Sequence, residues 1–168
     1  MADTQSEFVP FRFHVALYLE NSKQPICSGA FSEVSGFELT MTPKNIQEGG
    51  RNWGEVQLAG STRFAPITLK RGITNIGDLY KWFDVTSRQA NYAYRLNGEI
   101  RVYDKNFNMD PDSVKPVLTW SITRAMATKF KGPDLSSTSS QVAIEEFQLV
   151  HEGLRLLVPG EDAQGARS

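Results

Sequence analysis

The sequence predicts a mainly β protein, a two-sheet β-sandwich or barrel of about seven or eight strands with one flanking α-helix. Several stretches alternate apolar and polar residues, which is the period of a half-buried strand. Only the stretch at about 76–90 has a convincing helical period. The aromatic content of 11% favours a β-rich core. A lone helix among many strands usually covers the end or flank of such a core.

The clearest strand signal lies at residues 11–20, where apolar side chains occupy every second position. Residues 96–103 and 118–123 show the same alternation. Further strands are predicted at 26–30, 37–42, 67–73 and 142–154, and residues 56–64 are predicted to return toward the core through a turn at Gly60 and Ser61. Residues 31–36 are predicted to bend, and residues 124–128 fit either a short strand or a loop. The phase of the last strand is unclear because Glu145 and Glu146 are adjacent among apolar residues.

The predicted helix follows a strand in which Ile67, Leu69 and Ile73 form the apolar face. The apolar face of the helix itself is predicted to comprise Ile76, Leu79, Tyr80 and Phe83. Asn75 is placed to cap the free amides at its start, and Asn91 is a plausible stop. Asp84 and Arg88 are one turn apart and are expected to pair.

A polar, glycine-rich excursion interrupts the strands at residues 43–54. Loops of this length in a compact domain are often functional. We therefore expect residues 43–54 to be exposed and to carry part of the function.

Length and composition indicate one domain over residues 1–168, with an ordered core at about 8–156 and flexible tails at 1–7 and 158–168. The formal net charge of -1 argues against a general nucleic-acid binder. The single cysteine, Cys27, excludes an internal disulfide framework. With only His14 and His151 beside it, no metal site or cofactor is expected.

No targeting signal is expected from the sequence. The first seven residues are polar and acidic, so they do not resemble a signal peptide, and no apolar run approaches membrane-spanning length. We expect synthesis in the cytoplasm, no signal peptide and no stable membrane insertion.

Catalytic motifs are also absent: there is no nucleophile elbow, no P-loop and no dinucleotide fingerprint. Glu145 and Glu146 cannot share one site, because neighbours on a strand point to opposite faces. The protein is predicted not to be an enzyme. Lys70 and Arg71 leave two alternatives open, a charged strand end that neutralises nearby carboxylates or an anchor for a neighbouring subunit.

Short motifs along residues 8–156 resemble the tail-tube proteins of contractile phages and of phage-derived injection particles. They occur in that family's order, and any one alone would be weak. They are Phe31–Phe37, Glu48–Gly50, Leu58–Gly60, Ile67–Gly72, Asp78–Trp82, Gly132–Leu135, and Val142–Glu145 with His151–Leu154.

The resemblance implies a non-catalytic structural subunit that forms hexameric rings, which stack into a hollow tube inside a contractile sheath. It implies strands joined edge to edge around the ring, and an excursion at about 39–64 that reaches neighbouring subunits. Implied partners are further copies, the sheath protein, the baseplate or spike hub and the tube terminator, with cargo or DNA in the lumen held without sequence-specific recognition. The expected subunit-interface residues are Lys44, Asn45, Glu48, Gly49, Gly50, Arg51, Trp53, Lys70, Arg71, Glu145 and Glu152.

Two other classes of function are considered. The first is a monomeric β-barrel carrier, which would enclose an apolar cavity. The second is a hydrolase, which would need a convergent acid–base set that two scattered histidines do not suggest.

Overall fold

The computed structural model describes residues 12–20, 22–50, 52–73, 77–89, 93–103, 114–135, 137–138 and 143–159. These residues form twelve strands and one helix, more strands than predicted because several have only three residues. The strands before the helix are β1 Arg12–Leu19, β2 Pro25–Ala30, β3 Glu33–Ser35, β4 Leu39–Met41, β5 Lys44–Ile46, β6 Val56–Leu58, β7 Thr62–Phe64 and β8 Ile67–Gly72. The helix α1 Asp78–Ser87 is followed by β9 Leu96–Tyr103, β10 Leu118–Lys131, β11 Ile144–Val150 and β12 Gly153–Leu157.

Two antiparallel sheets share the strand β10. The five-stranded sheet has the order β2-β1-β9-β10-β12, and the four-stranded sheet has the order β10-β11-β8-β3. β10 reaches both sheets because it has 14 residues. Its register with β9 shifts between Ile122 and Ala125, and Arg124 has a positive φ of 51° there. This bulge marks the change from one sheet to the other.

The core lies between the two sheets, where the alternating apolar side chains meet. Ile100 and Ile122 from the five-stranded sheet are buried, as are Leu69 and Phe147 from the four-stranded sheet. Helix α1 adds Trp82, whose ring centroid is 5.0 Å from that of Phe147. Burying one such side chain contributes about 1.5–3 kcal/mol, so this layer dominates stability.

The helix is shorter than predicted, and its packed face is only partly the predicted one: Leu79 is buried and Phe83 packs against the core, as predicted. Leu79, Trp82 and Thr86 are its buried residues, whereas Tyr80, predicted to be buried, is 50% exposed. Gly77, with a φ of 61°, occupies the N-cap position, so Asn75 is not the cap residue. Asn75, Ile76 and Asn91 lie outside the described residues. The predicted pair is confirmed, with Arg88 Nε 3.4 Å from Asp84 Oδ1.

Three strand predictions need correction. The predicted bend at 31–36 contains β3, which pairs with β8. For residues 124–128, where a strand and a loop were both left open, the structure shows a strand, since they belong to β10. The predicted last strand is broken at residues 151–152, because β11 and β12 pair with opposite sides of the β10 bulge. Ile73, predicted on the apolar face of the strand at 67–73, is 56% exposed.

The strands at 12–19 and 96–103 are confirmed almost as predicted. The predicted flexible tails lie almost wholly outside the described residues. Within the described parts of the chain, no helix is long and apolar enough to cross a membrane.

Candidate functional site

The excursion predicted from the polar, glycine-rich stretch is an arm at residues 39–64 made of two short β-ribbons. β4 pairs with β7 near the body, and β5 pairs with β6 further along the chain. The predicted irregular loop is therefore partly regular structure. β4 lies within the strand predicted at 37–42, but β5, β6 and β7 were not predicted. Most of their residues are exposed, so these three strands show no apolar periodicity.

Exposed apolar side chains are concentrated on this arm. Trp53 is 93% exposed, and the other large ones are between 44% and 53% exposed. They are Leu39, Met41, Ile46 and Leu58. A chain that keeps several large apolar groups in water along one projection has a surface suited to a protein partner.

The base of the arm is fixed to the body. Phe37 stacks on Trp120 with ring centroids 5.0 Å apart, and Phe64 lies 5.2 Å from His151. Gly36 has a φ of 100°, and a Cβ there would collide with the carbonyl oxygen of Pro66. Glycine is therefore needed where the chain enters the arm, because only its backbone tolerates both conditions.

Six of the expected interface residues lie on the arm and are exposed, as the sequence predicted. Lys44 and Asn45 belong to β5, and Glu48, Gly49, Gly50 and Trp53 lie between β5 and β6. Arg51, the seventh, lies outside the described residues. Contact with another subunit remains a prediction for all of them.

Lys70 and Glu152 are also at the surface, but each has a partner within the same chain. Lys70 Nζ lies 3.0 Å from Glu33 Oε1 on the outer face of the four-stranded sheet. Glu152 Oε2 accepts a hydrogen bond of 2.8 Å from Arg124, which also binds Glu20 at 2.9 Å. Exposed pairs of this kind contribute little to stability, so Lys70 and Glu152 stay accessible to another subunit.

Arg71 and Glu145, in contrast, are buried inside the protomer. Arg71 pairs with Glu145 of β11 and with Asp78 at the start of α1, and its Nη1 donates to Asp78 Oδ2 at 3.2 Å. The Phe31 ring lies 5.5 Å from the guanidinium carbon. Of the two alternatives for Arg71, the structure shows neutralisation of nearby carboxylates. The group holds β8, β11 and the helix together.

Burial and pairing shift the titration of this cluster. Burial alone would raise the pKa of Asp78, but hydrogen bonds from Arg71 outweigh that effect and lower the pKa below its ordinary value. Burial raises the pKa of Cys27 far above its ordinary value, and the nearby Asp78 carboxylate raises it further. Cys27 is thus a protonated, buried thiol that packs as a small apolar residue.

The histidines are not brought together. His14 Nε2 lies 3.1 Å from Ser28 Oγ on the five-stranded sheet, and His151 Nδ1 lies 3.1 Å from the Gly153 carbonyl oxygen. In the part of the chain that the structure describes, no group of three or more His, Cys, Asp or Glu residues could hold a metal ion.

An apolar pocket of about 310 Å³ lies between the two sheets near the base of the arm. Its lining is entirely hydrophobic: Phe13, Val34, Phe37, Ile100, Val102 and Leu118. The volume is at the lower limit for small-molecule sites, which usually also place a few polar groups to orient a ligand. The pocket therefore gives the carrier hypothesis little support.

Comparison with known proteins agrees with the predicted resemblance. None of the curated proteins matches the chain. A chain in the six-fold symmetrised cryo-EM structure of the anti-feeding prophage baseplate is 27% identical, with a TM-score of 0.71, covering 89% of this chain and 95% of that one. A chain of the sheath–tube complex of the extracellular contractile injection system PVC is 20% identical, with a TM-score of 0.69, and coverage is 92% of this chain and 94% of that one.

A solved structure with lower sequence identity shares the fold. Hcp1 from Flavobacterium johnsoniae is 16% identical, with a TM-score of 0.52, and the match covers 84% of this chain and 93% of Hcp1. Residues 9–155 match the family described as T4-like virus tail tube protein gp19. Because that match spans most of the sequence, this chain belongs to the T4-like tail tube protein family.

Proposed function

We propose that this chain is a structural subunit of the inner tube of a contractile injection system. The observation that carries this proposal is the match of residues 9–155 to the tail tube family. The subunits form hexameric rings, and the rings stack into a hollow conduit that sheath contraction drives through a target envelope. The subunit is found in the assembled particle, and it is not stably inserted in a membrane.

Two features of the protomer support self-assembly. The arm at 39–64 exposes large apolar side chains, including Trp53 at 93%. The five-stranded sheet ends in β2 and β12, which have no outer strand partner among the described residues. Unpaired edges are templates for pairing with another chain, and permanent contacts of this kind bury roughly 2,000 Å² or more in total.

The named neighbours also suggest the other partners. They come from a baseplate and a sheath–tube complex, and further neighbours come from a tube-terminating cap and a sheath/tube terminator. By analogy we assign sheath, baseplate hub and terminator as partners of this chain. Its lumen holds cargo or DNA without sequence-specific recognition, and the subunit carries out no catalysis and binds no cofactor.

Electron microscopy of the purified protein over a range of concentrations tests the proposal. We expect rings or tubes with a central channel, and a matching rise in sedimentation coefficient with concentration. A compact monomer at every concentration, both alone and with the sheath protein of the same particle, would contradict the proposal and favour the carrier hypothesis.

A further inference from the structure

His151 lies buried where the base of the arm meets the body. Its side chain is 9% exposed and stands at the break between β11 and β12. The Phe64 ring, at the end of β7, is 5.2 Å from the imidazole ring, and Phe37 stacks on Trp120 at the same base. Of these two ring contacts between arm and body, only the one at His151 includes a group that can take up a proton near neutral pH.

The hydrogen bonds of His151 suit its neutral form. Nδ1 lies 3.1 Å from the carbonyl oxygen of Gly153, which can only accept, so Nδ1 carries the ring proton. Nε2 is also buried, and it has no hydrogen-bond partner among the described residues. A second proton on Nε2 would therefore place a charge and an unpaired donor in a site closed to water, and both cost free energy.

The charged groups around this site are directed elsewhere. Glu152, the next residue in the chain, accepts a hydrogen bond of 2.8 Å from Arg124. On the arm, the carboxylate of Glu38 accepts a hydrogen bond from Thr40. Arg63 is exposed and points to the other side of β7 from the residue that contacts His151, because neighbours on a strand alternate. None of the described carboxylates is thus placed to stabilise an imidazolium here.

The site consequently binds a proton less readily than water-exposed histidine does. Burial lowers the pKa of His151 below its ordinary value of 6.5, and the backbone at Gly153 and Ala65 offsets only part of that effect. If the arm left the body, the imidazole would meet water and its pKa would return toward 6.5. The docked arm is therefore most favoured above about pH 6.5 and is progressively less favoured as the pH falls toward the lower pKa of the docked form.

We propose that protonation of His151 releases the base of the arm, so that Phe64 separates from the body and the arm loses its fixed direction. Release at this point exposes the imidazole at low cost, because Phe64 is only partly buried and its strand belongs to neither sheet of the body. An arm without a fixed direction cannot present its exposed apolar side chains in one geometry, so contacts made through it should form more slowly in mild acid. The release concerns the single protomer and does not depend on the proposed tube function.

NMR of the full chain, at a concentration where copies do not associate, tests the proposal directly. The imidazole protons of His151 report its pKa, and nuclear Overhauser effects to the Phe64 ring report the contact. We expect that contact to be lost as His151 titrates below about pH 6.5, while the contact between Trp82 and Phe147 persists. A His151–Phe64 contact that survives the titration would overturn the proposal. Loss of both contacts together would overturn it as well, because the whole protomer would then be unfolding.

Two variants separate His151 from the other histidine of the chain. His151→Gln keeps a side-chain donor within reach of the Gly153 carbonyl oxygen but cannot become charged. His14→Gln is the matched control, because it leaves His151 in place. For the control, we expect the ratio of released to docked arm to rise by up to about tenfold for each pH unit between about 6.5 and the pKa of the docked form. For His151→Gln, we expect no such rise.

The distance between two spin labels measures that ratio. In a Cys27→Ala background, one label is attached at Trp53→Cys on the arm and the other at Lys129→Cys on the exposed side of β10. The distance distribution should broaden between about pH 7.5 and about pH 5.5 in the His14→Gln control and stay narrow in His151→Gln. Equal broadening in both variants would overturn the proposal. If His151→Gln does not fold, the labelled chain that keeps His151 is sufficient, because an unchanged distribution at the two pH values would also overturn it.

Discussion

The arm and the body consist of the same element, paired antiparallel strands, but they differ in what covers those strands. In the body, Leu69 and Phe147 are at most 1% exposed. On the arm, Met41 is 53% exposed and Trp53 is 93% exposed. The body therefore holds the folding free energy of the protomer, whereas the apolar surface of the arm contributes only when another molecule covers it. Substitutions in the two regions should accordingly separate stability from assembly.

Removal of the outer ribbon should have the largest effect. Replacing residues 44–58 by an Asn-Gly turn takes away β5 and β6 but leaves the β4–β7 ribbon and the core. We expect an unchanged circular dichroism spectrum and complete loss of ring stacking by sedimentation and electron microscopy. Trp53→Ala is the milder version, and it should weaken stacking without changing the unfolding midpoint. Unfolding of the shortened protein would show that the arm is part of the body.

Phe147→Ala tests the body. The substitution removes a ring that has no exposed surface and contacts Trp82, so it leaves a cavity between the sheets and α1. We expect the free energy of unfolding to fall by about 3–5 kcal/mol in urea denaturation. A shift of a few tenths of a kcal/mol would mean that the helix does not pack on the sheet as described.

Arg71→Met should destabilise the protomer by about 3–5 kcal/mol at neutral pH, because it leaves two buried carboxylates without a cation. In the original protein the folded-state pKa of Asp78 is lowered. The stabilisation that ionised Asp78 contributes is present above its unfolded pKa of about 3.9 and is lost as the pH falls through its lower folded pKa.

The variant should respond to acid in the opposite way. Without the guanidinium, burial raises the pKa of Asp78, so protonation relieves the unpaired charge. The stability difference between Arg71→Met and the original protein should therefore narrow as the pH falls from 7 to 4 in urea titrations, because the raised pKa of Asp78 in the variant lies above the unfolded value of about 3.9. An equal difference at pH 7 and pH 4 would contradict the assigned pairing.

Lys70→Ala should have the smallest effect on stability. Its partner Glu33 is half exposed, so the pair contributes about 0–1 kcal/mol and less in high salt. The unfolding midpoint should barely change. A clear loss of ring formation with an unchanged unfolding midpoint would place Lys70 at a subunit contact, whereas normal assembly would remove it from the predicted interface.

The difference between the arm and the body also explains how much of the fold could be predicted. The strands at 12–19 and 96–103 were predictable because each has one face against the core, which imposes a two-residue period. On the arm, β5, β6 and β7 lack that constraint and could not be found in the same way. The helix face was predicted correctly for Leu79 but not for Tyr80, which packs against Phe130 at the surface, whereas Trp82 is the buried aromatic residue.

For Arg71, neutralisation of nearby carboxylates was left open, but burial of the pair and the partners Glu145 and Asp78 were not predicted, although the sequence contains a signal for a buried pair. Arg71 lies two residues after Leu69 and four after Ile67, so it is on the same face of its strand as these buried residues. Glu145 is likewise on the same face as Phe147 and Leu149. Opposite charges on the core-facing sides of two strands indicate a buried ion pair. Which strands lie side by side was not predictable from periodicity, however, and the break at 151–152 depends on the bulge in β10.

The exposure of the arm has a consequence for growth. A single arm meeting a single copy buries little, and free subunits can therefore remain apart. A completed ring presents many arms together, and linked contacts reinforce one another. Elongation should thus begin only after a slow nucleation step and above a threshold concentration, so the length of the finished tube must be set by something other than the supply of subunits.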